Sequence, residues 1–164
     1  MSTSDKPASI DLRQTLALIG WGALCLAAAV LGGTVSIDEW YTSLQKPDWN
    51  PPAWIFGPVW TVLYLMMSVA AWLVWREGGW RTRSWPLGLF LGQLFLNAIW
   101  TPVFFGMYRI GLALIDIALL WMLLGITLIA FWRVNRPAGW LLVPYLAWVS
   151  FATVLNFTLW RMNS

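Results

Sequence analysis

The chain contains no histidine in 164 residues and a single cysteine, Cys25. Lack of histidine removes the commonest metal ligand, the commonest axial haem ligand and the commonest general base together. One cysteine forms no intrachain disulfide. The sequence also has no phosphate-binding loop and no nucleophile elbow, so hydrolase, kinase and metalloenzyme readings have no residues to carry them. Gly78 and Gly79 read only as a loop. Charge is scarce as well: 10% of residues are charged and 60% are hydrophobic, against about 25% and 45–50% in soluble domains.

The few charges are informative by position. Long apolar stretches separate Arg13 from Asp38, Asp48 from Arg76, Arg83 from Arg109, Arg109 from Arg133 with only Asp116 between, and Arg136 from Arg161. Each exceeds the roughly 20 residues that a helix needs to cross a hydrocarbon core. Lipid offers no partner to an unpaired backbone amide, and the alternation of barrel strands is absent, so these segments must be helices. The fold class expected is an all-α integral membrane protein, a single bundle of five transmembrane helices. They fall near residues 14–31, 53–75, 85–107, 110–132 and 138–160. Residues 1–13 form a short polar tail, 14–161 the membrane domain, and about 32–52 a Trp- and Pro-rich first loop. Asn50 before Pro51, and Ser84 before Trp85 and Pro86, read as N-caps. The first segment is read as a span and not a cleaved signal, because Asp5 and Asp11 balance Lys6 and Arg13 and the apolar run is too long for a signal.

Lysine and arginine counts set the expected orientation. Lys6, Arg13, Arg76, Arg81, Arg83, Arg133 and Arg136 lie on the side of the N-terminus and of the second and fourth loops; Lys46, Arg109 and Arg161 lie on the other. This asymmetry places the N-terminus in the cytoplasm and the first loop outside, if the membrane is a bacterial inner membrane and not an outer one. The net charge of +3 reflects it and calls for no nucleic-acid partner.

Polar residues inside the spans are the candidates for function. Asp116 lies about 9 Å into the fourth span, where it serves either as a buried, paired carboxylate or as a ligand or proton site. Gln93 and Asn97 sit one turn apart on one face of the third span, placed to bridge helices or to meet a ligand. Asn156 on the fifth span has the same two readings. Pro102 and Pro144 mark bends. Of the 15 tryptophans, Trp75, Trp80, Trp85, Trp132, Trp140 and Trp160 fall at span ends as interfacial anchors. Trp60, Trp100, Trp121 and Trp148 lie deeper, where an indole either packs helices or walls a pocket. Gly88 and Gly92 form a G-x-x-x-G pair on the third span, which leads to the expectation of a homodimer through that helix, with packing within the monomer as the alternative.

The stretches "WYTSLQKPDWNPPAWIFGPVWTVLY", "GQLFLNAIWTPVFFG", "ALIDIALL" and "PYLAWVSFATVLNFTLWR" resemble, in order and spacing, the TspO family, also called tryptophan-rich sensory protein, translocator protein or peripheral-type benzodiazepine receptor. The resemblance runs from about Asp38 to Arg161. It implies a five-helix receptor or carrier that binds porphyrins, sterols and benzodiazepine-type ligands in a pocket closed by the first loop. It makes Trp60 and Trp148 pocket tryptophans, Asn97 a polar handle, Trp40 and Tyr41 the inner face of a lid, and Ala152 a small wall residue. Protoporphyrin IX is then a ligand and not a tightly bound cofactor. Some bacterial members degrade it in light with oxygen, which would make Trp60 and Trp148 the oxidisable partners. The family's sterol motif has a tyrosine where this chain has Phe157, so sterol binding is doubtful. Prolines at 47, 51 and 52 would stiffen the lid. A tetrapyrrole sensor or carrier, a porphyrin-degrading enzyme and a bundle without a specific ligand all remain open on sequence.

Overall fold

A computed structural model describes residues 11–33 and 39–164. The polar tail before residue 11, and residues 34–38 of the first loop, lie outside the described residues. Among the described residues there are five long helices: α1 (Leu12–Gly33), α3 (Ala53–Arg76), α4 (Gly79–Thr101), α5 (Ile110–Val134) and α6 (Arg136–Asn163). Short α2 (Glu39–Ser43) lies in the first loop. All five long helices have the length and hydropathy to cross a membrane. Even α1, the shortest, spans about 33 Å at 1.5 Å per residue.

The bundle turns its surface to lipid. Leu16, Leu65, Phe95, Ile115 and Ile129 are all more than half exposed, which in water would be an aggregation hazard and in hydrocarbon is the natural solvent contact. Its interior is small-residue and aromatic: Ala70 and Ala71 of α3, Phe90 of α4, Phe131 of α5 and Tyr145 of α6 are fully buried. Phe90 and Phe131 stack at 5.7 Å between ring centres. Helices α5 and α6 meet closely, since a Cβ on Gly139 would stand 2.7 Å from the Trp132 ring. Asn135 alone connects them and caps α6 by accepting from the Ala138 amide at 3.1 Å.

Three local readings of the sequence change. Asn50 does not cap α3: the N-cap is Pro52, and the Asn50 amide instead accepts from Tyr41 Oη at 3.5 Å and donates to the Pro51 carbonyl at 3.2 Å. Helix α4 begins at Gly79, six residues earlier than the proline signal suggests, and breaks at Arg83 (φ −122°, ψ 23°) before Ser84 and Pro86 open its straight part. Gly78 and Gly79 have φ of 135° and 66°, so this turn from α3 into α4 uses backbone that side-chain-bearing residues rarely adopt. At the far end Pro102 does not simply bend the helix. Residues Pro102–Gly106 widen into a π-helical turn, in keeping with a proline that supplies no amide to the preceding carbonyls.

Candidate functional site

Asn97, Asp116 and Asn156 are buried polar side chains on α4, α5 and α6, toward the helix ends on the side of the first loop. Asn97 of α4 accepts from the Tyr64 hydroxyl of α3 at 2.5 Å. One turn earlier Gln93 accepts from the Tyr145 hydroxyl of α6 at 3.0 Å. Gln93 and Asn97 therefore each tie α4 to a different helix, as an i, i+4 pair on a buried face is placed to do. Asp116 of α5 is buried at 8% exposure. Among the described residues, Gln93 Nε2 and Asp116 Oδ2 are buried polar atoms without a hydrogen-bond partner in the protein. A donor and an acceptor left unmet in a membrane interior are costly, and such groups mark places where a further polar atom is accommodated.

Aromatic rings lie directly on this polar layer. Trp60 is 5.5 Å from Tyr64 and 6.1 Å from Tyr145 between ring centres, so its indole covers the two tyrosines whose hydroxyls address Asn97 and Gln93. Phe56, one turn before Trp60, contacts Trp148 of α6 at 5.8 Å. Trp60 and Trp148 thus line one seam between α3 and α6, both half-buried and packed against the main core together with Ala152. Trp148 continues through Phe151 at 5.6 Å to Trp49 of the first loop at 5.9 Å.

Trp40 and Tyr41, which the resemblance places on the inner face of a lid, pack elsewhere. Trp40 meets Phe104 at 5.9 Å and Tyr108 at 4.8 Å, while Tyr41 meets Phe105 at 5.2 Å. They join a second cluster built on Phe104, Ala113, Leu155 and Leu159, over the π-helical turn and not over Trp60. Burial pushes the Tyr41 hydroxyl above its usual range, offset in part by its hydrogen bond with Asn50. Lys46 sits over the Tyr41 ring at 4.6 Å. The loop is fastened to the far end of α6 by a two-way amide bond. Gln45 N donates to Asn163 Oδ1 and Asn163 Nδ2 to the Gln45 carbonyl, each at 2.9 Å.

The remaining deep tryptophans pack helices. Trp100 stacks on Phe104 at 5.1 Å and donates to Asn156 Oδ1 at 3.1 Å, and Asn156 donates in turn to the Ile110 carbonyl at 3.1 Å. Trp121 donates to Ser150 Oγ at 2.8 Å across α5 and α6. Gly88 faces open space, whereas a Cβ on Gly92 would meet Leu123 of α5 at 3.1 Å. The second glycine therefore serves packing within the chain. Trp80, Trp85, Trp140 and Trp160 are exposed near helix ends, and Trp132 packs on Trp140 at 4.7 Å.

With this fold and site in place, comparison with known proteins is decisive: residues 21–161 match the TspO/MBR family. The chain belongs to that family. It is 46% identical over 156 residues to the tryptophan-rich protein TspO of Chlorobaculum tepidum, covering 92% of this chain and 98% of that one. It is 48% identical over 127 residues to the human translocator protein, covering 76% and 75%. Against the tryptophan-rich sensory protein of Cereibacter sphaeroides it is 44% identical over 141 residues, covering 86% and 87%.

Within this TspO/MBR chain, sequence reasoning selected Trp60, Trp148, Asn97, Gln93, Asp116 and Ala152 but passed over Tyr64, Tyr145, Phe56, Phe151 and Asn163. The tyrosines carried a usable signal. A phenol deep in an apolar span has to find a partner, and Gln93 and Asn97 were the amides in reach.

Proposed function

We propose that this TspO/MBR protein is a membrane receptor or carrier that binds a flat aromatic ligand of the porphyrin class along the α3–α6 seam. The observation that carries the reading is the placement of Trp60 and Trp148 on two helices along one seam, with Tyr64, Tyr145, Asn97 and Gln93 immediately behind Trp60. Indole faces supply stacking area, and the amides supply donors and acceptors for a polar ring edge. The unmet Gln93 Nε2 and Asp116 Oδ2 add one donor and one acceptor behind the rings. The names of the relatives speak for sensing or translocation, and porphyrin, with its large flat macrocycle and polar nitrogens, fits the chemistry of the wall. Without histidine, the free-base macrocycle is the better candidate than haem. Sterol remains the weaker candidate, with Phe157 about half exposed and offering no hydroxyl.

Access runs through the first loop, which Asn163 holds shut on α6. A homodimer through the α4 face around Gly88 also belongs to this reading, since Gly88 leaves open space beside exposed Trp85 and Phe95.

Purified protein is mixed with protoporphyrin IX in darkness, and the absorbance bands are followed before and after illumination. A saturable red shift in darkness supports the receptor reading. Loss of the bands only with protein, light and oxygen together supports the degrading enzyme instead, with Trp60 and Trp148 oxidised. An unchanged spectrum contradicts both.

A further inference from the structure

At the end of the bundle away from the lid, two adjoining grooves share the indole of Trp75. One, of about 250 Å³, is apolar and open to the membrane face, walled by Ala17, Gly20, Trp21, Leu24, Trp75 and Trp80. The other, of about 170 Å³, is polar and lined by Asp11, Arg13, Gln14 and Arg76 together with the Gly78 and Gly79 turn. Small residues make the first groove: Gly20 has nothing within 4 Å of where a Cβ would stand. Stacking on indoles holds the arginines of the second. The Arg13 guanidinium lies 5.2 Å from the Trp75 ring centre, and that of Arg76 lies 4.5 Å from Trp72. Trp72 is itself fixed by donating to the Gln14 carbonyl at 3.0 Å. Guanidinium stacking uses the flat face of the group and leaves its N–H edge for an anion. Asp11 lines the same pocket and offsets one of the two positive charges; the Glu77 carboxylate, next in sequence to Arg76, accepts from Asn135 at 3.1 Å.

We propose that this paired groove is a binding site for an anionic phospholipid of the leaflet on the N-terminal side of the bundle, with its phosphate between Arg13 and Arg76 and an acyl chain along Ala17, Gly20 and Leu24. The occupant is a lipid and not a free phosphate because the polar pocket and a lipid-facing apolar groove meet at Trp75, which lines both, and a phosphate alone leaves the groove empty. Basic pockets at the ends of membrane helices recognise anionic headgroups in this way. The site is separate from the α3–α6 seam, and its occupancy does not depend on what binds there.

Native mass spectrometry of the detergent-purified full chain tests it, with phosphatidylglycerol and phosphatidylcholine of identical acyl chains as the two probes. Wild type retains one phosphatidylglycerol with a preference of about tenfold over phosphatidylcholine, from two arginines near the headgroup. Arg13→Gln with Arg76→Gln brings the ratio to near unity, and Arg13→Lys with Arg76→Lys keeps a preference. Gly20→Phe, which fills the apolar groove, lowers phosphatidylglycerol retention even with both arginines present. Should the glutamine variant fail to fold, Gly20→Phe and the lysine pair decide. Equal retention of the two lipids by wild type overturns the proposal. So does displacement of phosphatidylglycerol by millimolar glycerol phosphate with Gly20→Phe behaving as wild type, which would make this a site for a soluble phosphate.

Discussion

The Tyr64 hydroxyl donates to the Asn97 side-chain oxygen at 2.5 Å, joining α3 to α4 where Trp60 covers the same tyrosine. One tyrosine thus holds the Asn97 amide through its hydroxyl and meets the Trp60 indole with its ring. Tyr64→Phe keeps the ring and removes only the hydroxyl. Interhelical hydrogen bonds in membranes contribute about 0.6–2 kcal/mol, and the variant should lose about 1 kcal/mol of unfolding free energy in a mixed-micelle denaturant titration. A loss of less than about 0.3 kcal/mol would mean that water or lipid satisfies Asn97 equally well.

Asn163 ties the first loop to the end of α6 through Gln45. Asn163→Ala removes both of its bonds to Gln45 while leaving the body of α6 untouched. Ligand release should quicken by about five- to tenfold, the effect of about 1–1.4 kcal/mol, with little change in helicity. Stopped-flow displacement of protoporphyrin IX measures it. An unchanged release rate would show that the rings of Trp40, Tyr41 and Trp49 hold the loop without Asn163.

Much of this was readable in the sequence, and the rest was hidden for definite reasons. The charge-poor gaps Arg13–Asp38, Asp48–Arg76, Arg83–Arg109, Arg109–Arg133 with only Asp116 inside, and Arg136–Arg161 located the five spans, because a charge in hydrocarbon is costly and rare. Gln93, Asn97 and Asp116 stood out for the same reason. The partners of these residues did not, since which tyrosine reaches which amide depends on helix rotation, and hydropathy does not report rotation. Asn50 looked like a cap because Asn before proline often is one, yet Tyr41 engages its side chain across the loop. Pro102 signalled a disturbance but not its form, because a π-turn and a kink follow from the same missing amide. Asn163 lay past the last span, where nothing marks a polar residue as a clasp.

The two glycines of α4 make separable predictions. Gly88→Leu enters open space, so stability should hold, and the cross-linked dimer should fall if this face associates. Gly92→Leu drives a side chain into Leu123 and should cost about 1–3 kcal/mol of stability whatever the oligomeric state. Cross-linking and light scattering in detergent distinguish them; an unchanged dimer fraction in Gly88→Leu rejects the interface.

Orientation is testable by single cysteines. Cys25 is buried at 1% exposure, and Cys25→Ala gives a clean background. Ser43→Cys on the first loop should react with an impermeant maleimide in intact spheroplasts, and Thr82→Cys at the start of α4 should react only after lysis. The reverse pattern would contradict the orientation expected from the arginine distribution.

The central claim is that Trp60 and Trp148 face a ligand, and Trp→Phe is the substitution that decides it. It keeps an aromatic ring of similar shape but loses the indole N–H and some stacking area. In a protoporphyrin IX titration followed by absorbance, Trp60→Phe and Trp148→Phe should each weaken binding by about 1–2 kcal/mol, roughly five- to thirtyfold. Trp85→Phe, on a ring 71% exposed on the outer face of α4, should bind as wild type. If all three variants bind protoporphyrin with wild-type affinity while helicity is intact, these indoles only pack α3 against α6 and the ligand site lies elsewhere.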